Sequence, residues 1–174
     1  MIAPETKDWT WVLERPCEEC GFDAGAVCAV DVASLVRANA EDWQVLLDAG
    51  VLHAGRPDDS TWSTLEYACH VRDVFRTMDG RIRVMLAEDD PSFPNWDQDA
   101  SAVADRYEAQ DPATAVAELR AEAEQIASLL DAIEADQWPR PGRRSDGAAF
   151  TVDRISRYML HDVIHHVWDV RPTP

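Results

Sequence analysis

Positive charge is scarce in this chain. Its 174 residues include 16 lysines and arginines against 33 aspartates and glutamates, which gives a formal net charge of −17. A nucleic-acid-binding protein needs a basic face that displaces counterions from phosphates, and this chain has no basic run. The densest cluster is Arg140, Arg143 and Arg144, beside Pro141 and Gly142. We interpret these arginines as solvated residues of a turn-rich loop and expect no nucleic-acid partner.

Long apolar runs are absent as well. No stretch approaches the roughly 18 residues that a membrane helix requires. Residues 1–11 are mixed polar and aromatic and lack the apolar core of a secretory signal. The sequence therefore predicts a cytoplasmic protein with no membrane partner. In that compartment we expect the four cysteines to stay reduced; they are Cys17, Cys20, Cys28 and Cys69.

The motifs of several large enzyme classes are also missing. The chain contains no GxSxG nucleophile elbow, no phosphate-binding P-loop and no dinucleotide-binding glycine fingerprint. This weighs against the hydrolases, kinases and dehydrogenases that depend on those motifs. The rest of the composition, with 46% hydrophobic and 28% charged residues, is that of an ordinary globular domain.

Four segments of helical apolar periodicity are separated by clusters of Gly, Pro and Asp. They predict long helices over residues 31–49, 63–87, 112–135 and 152–170. Ser63 and Glu66 form a capping-box pattern, and Asp111 precedes a proline at the first position of its helix. A short helix is predicted over residues 100–109. No segment shows the alternation typical of a strand.

The sequence therefore predicts an all-α fold, an antiparallel four-helix bundle over residues 31–174. An irregular N-terminal extension over residues 1–30 precedes it and contains the CxxC pair. Trp9 and Trp11 in this extension are expected to lie across the bundle.

Histidine is concentrated in the last predicted helix, where residues 161–166 contain three of the five in the chain. Residues four apart lie on one helix face, so two pairs are candidates for metal ligands: His161 with His165, and Asp162 with His166. A helical wheel puts His166 inside the apolar stripe and Asp162 at its edge. It puts His161 on the opposite side, with His165 between. We therefore expect Asp162 and His166 to hold a metal ion inside the bundle.

A third ligand must come from another element. His70 lies in the second predicted helix at the edge of its apolar stripe, and Asp73 is a candidate to orient its ring. His53, in a loop, is a weaker candidate. Three protein ligands leave a position open, as in catalytic zinc sites. Zinc is the first choice for an imidazole-rich site, and nickel, iron and manganese are alternatives.

These segments resemble the signatures of the DinB-like superfamily of metal-binding four-helix bundles. Trp62, His70 and Asp73 are similar to its second-helix pattern. The run over residues 162–170 is similar to its last-helix motif, especially in the branch of mycothiol-dependent maleylpyruvate isomerases. The resemblance implies a metal-dependent enzyme, often one that uses a low-molecular-weight thiol, and it allows a homodimer.

The resemblance also implies ligand positions. In the isomerase branch a Glu and a His four residues apart join the second-helix His around zinc. Those two positions fall on Asp162 and His166, and Asp169 matches a further family acid. Asp162 is one methylene shorter than the family Glu. Many other DinB-like proteins use three histidines, a pattern that His161 and His165 also meet, so both pairs stay open.

Two functions are compatible with this interpretation, and a third possibility is that the histidines form a hydrogen-bonded core network and bind no metal. In the first, the chain is an enzyme in which a metal-activated thiol or water attacks a small electrophilic molecule, as a transferase or isomerase. In the second, it is a non-catalytic metal-binding or interaction bundle with a structural or sensor role. An open coordination position beside a partly apolar pocket favours the enzyme, whereas a closed four-ligand shell favours the structural role.

Cys17 and Cys20 form a CxxC pair followed by Gly21, which resembles half of a zinc knuckle. A complete structural site needs two more ligands at a comparable spacing, and Cys28 is the only nearby thiol. A redox CxxC usually caps a helix after a strand, and neither neighbour is evident. We interpret the pair as inert or packing residues, with structural zinc and redox chemistry as alternatives. Cys69 is expected in the core.

Overall fold

The structure, a computed structural model, describes residues 9–171, which fold mainly into helices. In this part of the chain the α-helices are α1 (Val32–Asp48), α2 (Thr64–Ala87), α3 (Gln98–Ala104), α4 (Pro112–Asp131) and α5 (Val152–Val170). The strands are β1 (Ser92–Phe93), β2 (Pro141–Arg144) and β3 (Ala149–Thr151). Residues 1–8 of the predicted extension and residues 172–174 lie outside the described part.

The long helices begin at residues whose side chains satisfy the first free amides. At α2 the capping box is complete: the amide of Glu66 donates to the Ser63 hydroxyl (3.2 Å), and the amide of Ser63 donates to the Glu66 carboxylate (2.8 Å). The Asp111 carboxylate accepts from the Thr114 amide at α4 (2.9 Å). Thr151 caps α5 in the same way. The caps of α2 and α5 set where the two helices that contribute the candidate ligands begin.

The four long helices form a bundle around one continuous hydrophobic core. α1 and α2 each pack against both α4 and α5, so α1 lies diagonally opposite α2. Large side chains fill the centre, among them Trp43, Phe75, Leu119, Ile155 and Met159. The predicted all-α four-helix bundle is confirmed, because each apolar stripe in the sequence is buried against its neighbours.

The prediction for the third long helix, over residues 112–135, is too long at its end. α4 stops at Asp131, where the Ile133 amide donates to the Leu130 carbonyl in a tighter turn. The Glu134 amide then donates to the Gln137 side chain instead of a helix carbonyl (2.9 Å). The short helix predicted over residues 100–109 is found as α3 followed by a single turn.

A small three-stranded sheet, which the sequence did not predict, closes one end of the bundle. β1 runs parallel to β2, and β2 runs antiparallel to β3. The strands have two to four residues, too few for a recognisable alternation. Gly142 in β2 lies against α2, where a Cβ atom would come within 2.6 Å of Met85 Cγ. Glycine therefore permits this close approach.

The arginines around β2 were expected to be solvated loop residues, and that prediction is wrong in part. Arg140 donates to the backbone carbonyls of Met85 and Glu88 at the end of α2. Arg143 is paired with Asp90. These contacts fasten the sheet to the end of α2.

The N-terminal extension lies along α5. Its described residues contain three short 3-10 turns, Thr10–Leu13, Ala24–Ala26 and Ala29–Asp31, each of which contacts α5. Trp9 packs on His161, with 5.6 Å between ring centroids, which confirms the predicted position of the tryptophan segment. Glu14 forms an ion pair with Arg154 of α5. Within residues 9–171, none of the helices combines the length and apolar character of a membrane span.

Candidate metal centre

α2 and α5 bring three candidate ligands together where the two helices pack. The ligand atoms of His70, Asp162 and His166 all lie within 4.8 Å of one another. Both imidazoles point a nitrogen at the same carboxylate oxygen. Nε2 of His166 lies 3.1 Å from Asp162 Oδ1, and Nε2 of His70 lies 3.8 Å from it. The i, i+4 spacing on α5 and the contact with α2 therefore assemble the predicted group, whose metal binding stays a prediction.

His70 is the most deeply buried member of this group, with 0% of its surface exposed. Its ring stacks on Trp96 at 5.3 Å and lies 5.0 Å from Trp62. Neither ring nitrogen has a hydrogen-bond partner within residues 9–171. Burial lowers the pKa of His70, which keeps the ring neutral. A neutral, buried imidazole without a partner is costly on its own and is suited to a metal ion.

His166 is held between two carboxylates. Its Nδ1 lies 2.8 Å from Asp169 Oδ2, on the side of the ring opposite Asp162. Burial acts to lower the pKa of His166, but the bonds to Asp162 and Asp169 outweigh it and raise that pKa to about 9. Burial likewise opposes ionisation of Asp162, yet the two imidazoles hold its pKa well below the usual range. Metal-binding histidines commonly have such a carboxylate behind them, here Asp169.

A cavity of about 330 Å³ adjoins this group. Asp162 and His166 form part of its lining from α5, and Tyr67 contributes from α2. Trp9 and Glu19 line it from the N-terminal extension. Two of the three candidate ligands, Asp162 and His166, therefore face a space large enough for a small molecule, with His70 buried behind them, which matches the arrangement expected for catalysis.

Asp73, which was predicted to orient His70, has other partners. Its carboxylate accepts from Arg72 and Arg76 at 2.9 and 3.0 Å and from the hydroxyl of Tyr107. The predicted orienting role is therefore wrong, because the Asp73 carboxylate is paired with the neighbouring arginines and makes no hydrogen bond to the His70 imidazole. His53 lies exposed in its loop. Cys69 is buried in the core, as predicted.

The helical wheel put His161 on the side of α5 opposite the apolar stripe, with His165 between, and neither side chain joins the group around His70. The wheel did not predict their burial: they are 3% and 8% exposed. The N-terminal extension covers them: the Trp9 ring lies 5.6 and 5.4 Å from the two imidazoles. A helical wheel considers one helix against one core, and α5 is buried on two sides.

The histidines His161 and His165 meet the cysteine pair rather than His70. The ligand atoms of Cys17, Cys20, His161 and His165 lie within 4.8 Å of one another. Burial raises the pKa of Cys20 to about 11, and the neighbouring Cys17 thiol adds to this. A redox CxxC has a lowered thiol pKa, so this environment disfavours the redox alternative. Sequence reasoning missed the group because Cys17 and His165 are 148 residues apart. The available signal was that C-x2-C and H-x3-H together match a Cys2His2 pattern.

Comparisons with known proteins agree with this architecture. A profile of the DinB superfamily matches residues 33–170. The structure of YfiT from Bacillus subtilis, described as "a probable metal-dependent hydrolase with an unusual four-helix bundle topology", superposes with a TM-score of 0.67. That match covers 97% of this chain and 90% of YfiT at 17% sequence identity, which shows a shared fold. Among curated proteins, none has a sequence that matches significantly. The isomerase branch is not confirmed by either match. The profile spans nearly all of α1 through α5, and this chain belongs to the DinB superfamily.

Proposed function

We propose that this chain is a metal-dependent enzyme that acts on a small electrophilic molecule. His70, Asp162 and His166 would hold one divalent ion, and the substrate would enter the adjoining cavity. One observation carries the proposal: three ligand atoms converge beside a cavity of about 330 Å³, and one of them belongs to a buried imidazole with no other partner within residues 9–171.

The donor set narrows the choice of ion. Two imidazoles and one carboxylate are the ligands of several catalytic zinc sites, and the same triad binds iron. We propose zinc first, with iron, nickel and manganese as alternatives. When bound, such an ion supplies Lewis-acid chemistry, which lowers the pKa of a neighbouring water or thiol toward neutrality.

The protein residues hold the ligands in one arrangement. The His70 ring is fixed between Trp62 and Trp96, whose apolar surfaces also keep water away from it. Asp169 accepts from His166 Nδ1 and directs the other nitrogen toward Asp162. Ligands fixed in advance lose little conformational entropy when an ion binds, which favours both affinity and a defined reaction geometry.

The cavity lining indicates what kind of molecule would fit. Trp9, Tyr67 and Tyr158 offer aromatic surface to an apolar portion of the substrate. Glu19 and Asp169 add negative charge. Like charges repel in a partly buried site, so we propose a neutral or cationic substrate rather than a polycarboxylate.

The attacking group has two candidates. The published description of YfiT as a probable metal-dependent hydrolase favours water and a hydrolytic reaction. The resemblance of residues 162–170 to the isomerase branch favours a low-molecular-weight thiol, in a transfer or isomerisation. The two reactions differ in whether turnover requires added thiol, so one assay separates them.

The proposal is tested by elemental analysis of the purified, untagged wild type beside His70→Ala and His166→Ala. We expect each variant to contain one equivalent of metal less than the wild type, and His53→Ala, an exposed control, to match the wild type. Activated esters and other electrophiles are then assayed with and without thiols. Metal content unchanged in both site variants would refute this ligand set.

The alternative function is a non-catalytic bundle whose ion only stiffens α2 against α5. That function predicts the same loss of metal in His70→Ala but no turnover of any electrophile. It also predicts that the variant loses thermal stability in proportion to its lost metal. We favour the enzyme because a three-ligand set beside a cavity leaves room for a reactant, whereas structural sites are usually closed by four ligands.

A further inference from the structure

The CxxC segment forms a tight turn that directs both thiols to one side. The amide of Cys17 donates to the Phe22 carbonyl and the amide of Gly21 donates to the Cys17 carbonyl, both at 2.9 Å. Gly21 has φ +75°, a conformation that other residues adopt only with strain. Cys17 is buried and Cys20 is partly buried.

The facing side chains come from α5. His161 and His165 are one turn apart and point at the cysteines, with His165 Nδ1 only 3.7 Å from Cys17 Sγ. The other nitrogen of His165, Nε2, lies 3.3 Å from a carboxylate oxygen of Glu19 and 3.7 Å from one of Asp169. A carboxylate behind the ring is the usual support of a metal-bound histidine.

The distances are compatible with a tetrahedral shell. Zn–S bonds of about 2.3 Å and Zn–N bonds of about 2.0 Å place neighbouring ligand atoms roughly 3.3 to 3.8 Å apart. The four ligand atoms here lie within 4.8 Å of one another, and the Cys17–His165 pair is already at 3.7 Å. Small side-chain rotations therefore suffice to complete the shell.

We propose that Cys17, Cys20, His161 and His165 form a second metal site, a closed four-coordinate zinc site that fastens the N-terminal extension to α5. Mixed thiolate and imidazole ligands in a C-x2-C and H-x3-H arrangement select zinc among the common divalent ions. With four protein ligands, this site has no position left for a reactant. Its role is structural, and it does not depend on the function proposed for His70, Asp162 and His166.

The position of this site gives it a second consequence. Trp9 and Glu19, which line the cavity, both belong to the extension that the zinc would fasten. This second site, called the outer site below, would therefore hold one wall of the cavity in place while taking no part in chemistry. Asp169 connects the two groups, because Oδ2 faces His166 and Oδ1 faces His165.

The first test is the zinc content of purified wild type, the double variant Cys17→Ser/Cys20→Ser and the control Cys28→Ser. Cys28 is exposed and lies outside the cluster, so its variant matches the chemistry of the change without touching the site. We expect the double variant to lose one equivalent and Cys28→Ser to lose none. Equal zinc in all three proteins would overturn the proposal.

His70→Ala separates this proposal from the proposed function. If both are right, the wild type binds two equivalents and each variant retains the ion of the other site. If only the outer site binds, the wild type binds one equivalent, which His70→Ala keeps and the cysteine variant loses. If only the inner site, formed by His70, Asp162 and His166, binds an ion, the cysteine variant keeps the single equivalent, and the outer site is refuted.

A measurement on the wild type alone covers the case in which the cysteine variant does not fold. Thiol titration of the native protein should label Cys28 rapidly, and a strong chelator should then expose two further thiols. Cobalt loaded in place of zinc should give the intense thiolate-to-cobalt charge-transfer absorption of a tetrahedral site. Rapid labelling of Cys17 and Cys20 before chelation, or their recovery as a disulfide, would refute the site.

Discussion

The two faces of α5 carry neighbouring residues with different surroundings. Asp162 and His166 face α2 and a cavity, and the third candidate ligand is His70. His161 and His165, each one position earlier, face the extension and two cysteines, and they also border the cavity. One helix turn thus supplies two ligand pairs that point about 100° apart. What covers each face determines the number of ligands, and hence the chemistry available to it.

The two groups also differ in whether an ion bound there would keep an open coordination position. The inner group has three candidate ligands and a cavity beside them, so an ion there keeps an open position. The outer group has four candidate ligands, enough for a closed shell, although His161 and His165 also line the cavity. The rings of Trp9 and Phe22 pack on His161 at 5.6 and 6.3 Å. An open site permits reaction, and a closed site supplies stability. The two groups therefore predict different responses to the same kind of substitution.

The largest expected effect is loss of the inner site in His70→Ala. Removing one of three ligands should lower metal affinity there by more than about 100-fold, because even the loss of an outer-shell partner costs 10- to 100-fold. Competition with a chromophoric chelator measures this change. The outer site should keep its affinity in the same protein. A parallel loss at both sites would show that the two groups are one site.

The next effect is release of the extension in Cys20→Ser. Without the fourth ligand the zinc should leave, and residues 9–31 should open far more often. Limited proteolysis should then cut this segment between about tenfold and a hundredfold faster, since cleavage follows the population of the open form. Cys28→Ser is the matched control. An unchanged cleavage rate would mean that packing alone holds the extension on α5.

Much of the fold was predictable because the long helices carry their own signals. The capping box at Ser63, the Asp111 cap and the apolar stripes gave the helices to within a few residues, and His70, Asp162 and His166 were selected as one group. The sheet was not predictable, since its pairing joins short segments that are distant in sequence and carry no periodicity.

The sequence interpretation missed the outer group for a different reason. Burial of His161 depends on the extension folding back across α5, a contact between residues that are far apart in the chain. The periodicity of α5 alone does not indicate that the N-terminal extension covers this face of the helix. The prediction for Asp73 was wrong for a similar reason. His70 and Arg72 are both close enough in sequence to pair with it, and the side-chain positions, which spacing does not give, decide in favour of Arg72.

A moderate effect is expected from Asp169→Asn, which alters both sites unequally. His166 loses the carboxylate 2.8 Å from Nδ1, so affinity at the inner site should fall about tenfold. The outer site should change less, because Glu19 still faces His165 at 3.3 Å. Asp136→Asn, at an exposed position, controls for the change in net charge. Separate chelator titrations measure the two affinities, and an equal effect at both would contradict the shared but unequal role of Asp169.

Proton competition offers a graded test of the inner site. Without metal, His166 has a pKa raised to about 9 and is therefore protonated at neutral pH. A protonated imidazole cannot bind an ion, so inner-site affinity should rise by about tenfold per pH unit and level off above about pH 9. Chelator competition across a pH series, with proton release followed in weak buffer, measures this. An affinity that is independent of pH would remove His166 from the ligand set.

The smallest expected effect comes from Asp162→Glu, which keeps the carboxylate and lengthens its side chain by one methylene. The carboxylate oxygen must stay near both imidazole nitrogens, now 3.1 and 3.8 Å from Oδ1. One added methylene can be absorbed toward the cavity, because Asp162 borders open space rather than packed core. We therefore expect inner-site affinity to change by less than about tenfold, the smallest cost typical of losing a residue that supports a ligand. Asp162→Asn, which keeps the length and removes the charge, is the matched contrast and should weaken binding far more. If Asp162→Asn retained full affinity and Asp162→Glu lost it, shape rather than charge would dominate, and the carboxylate would not be a ligand.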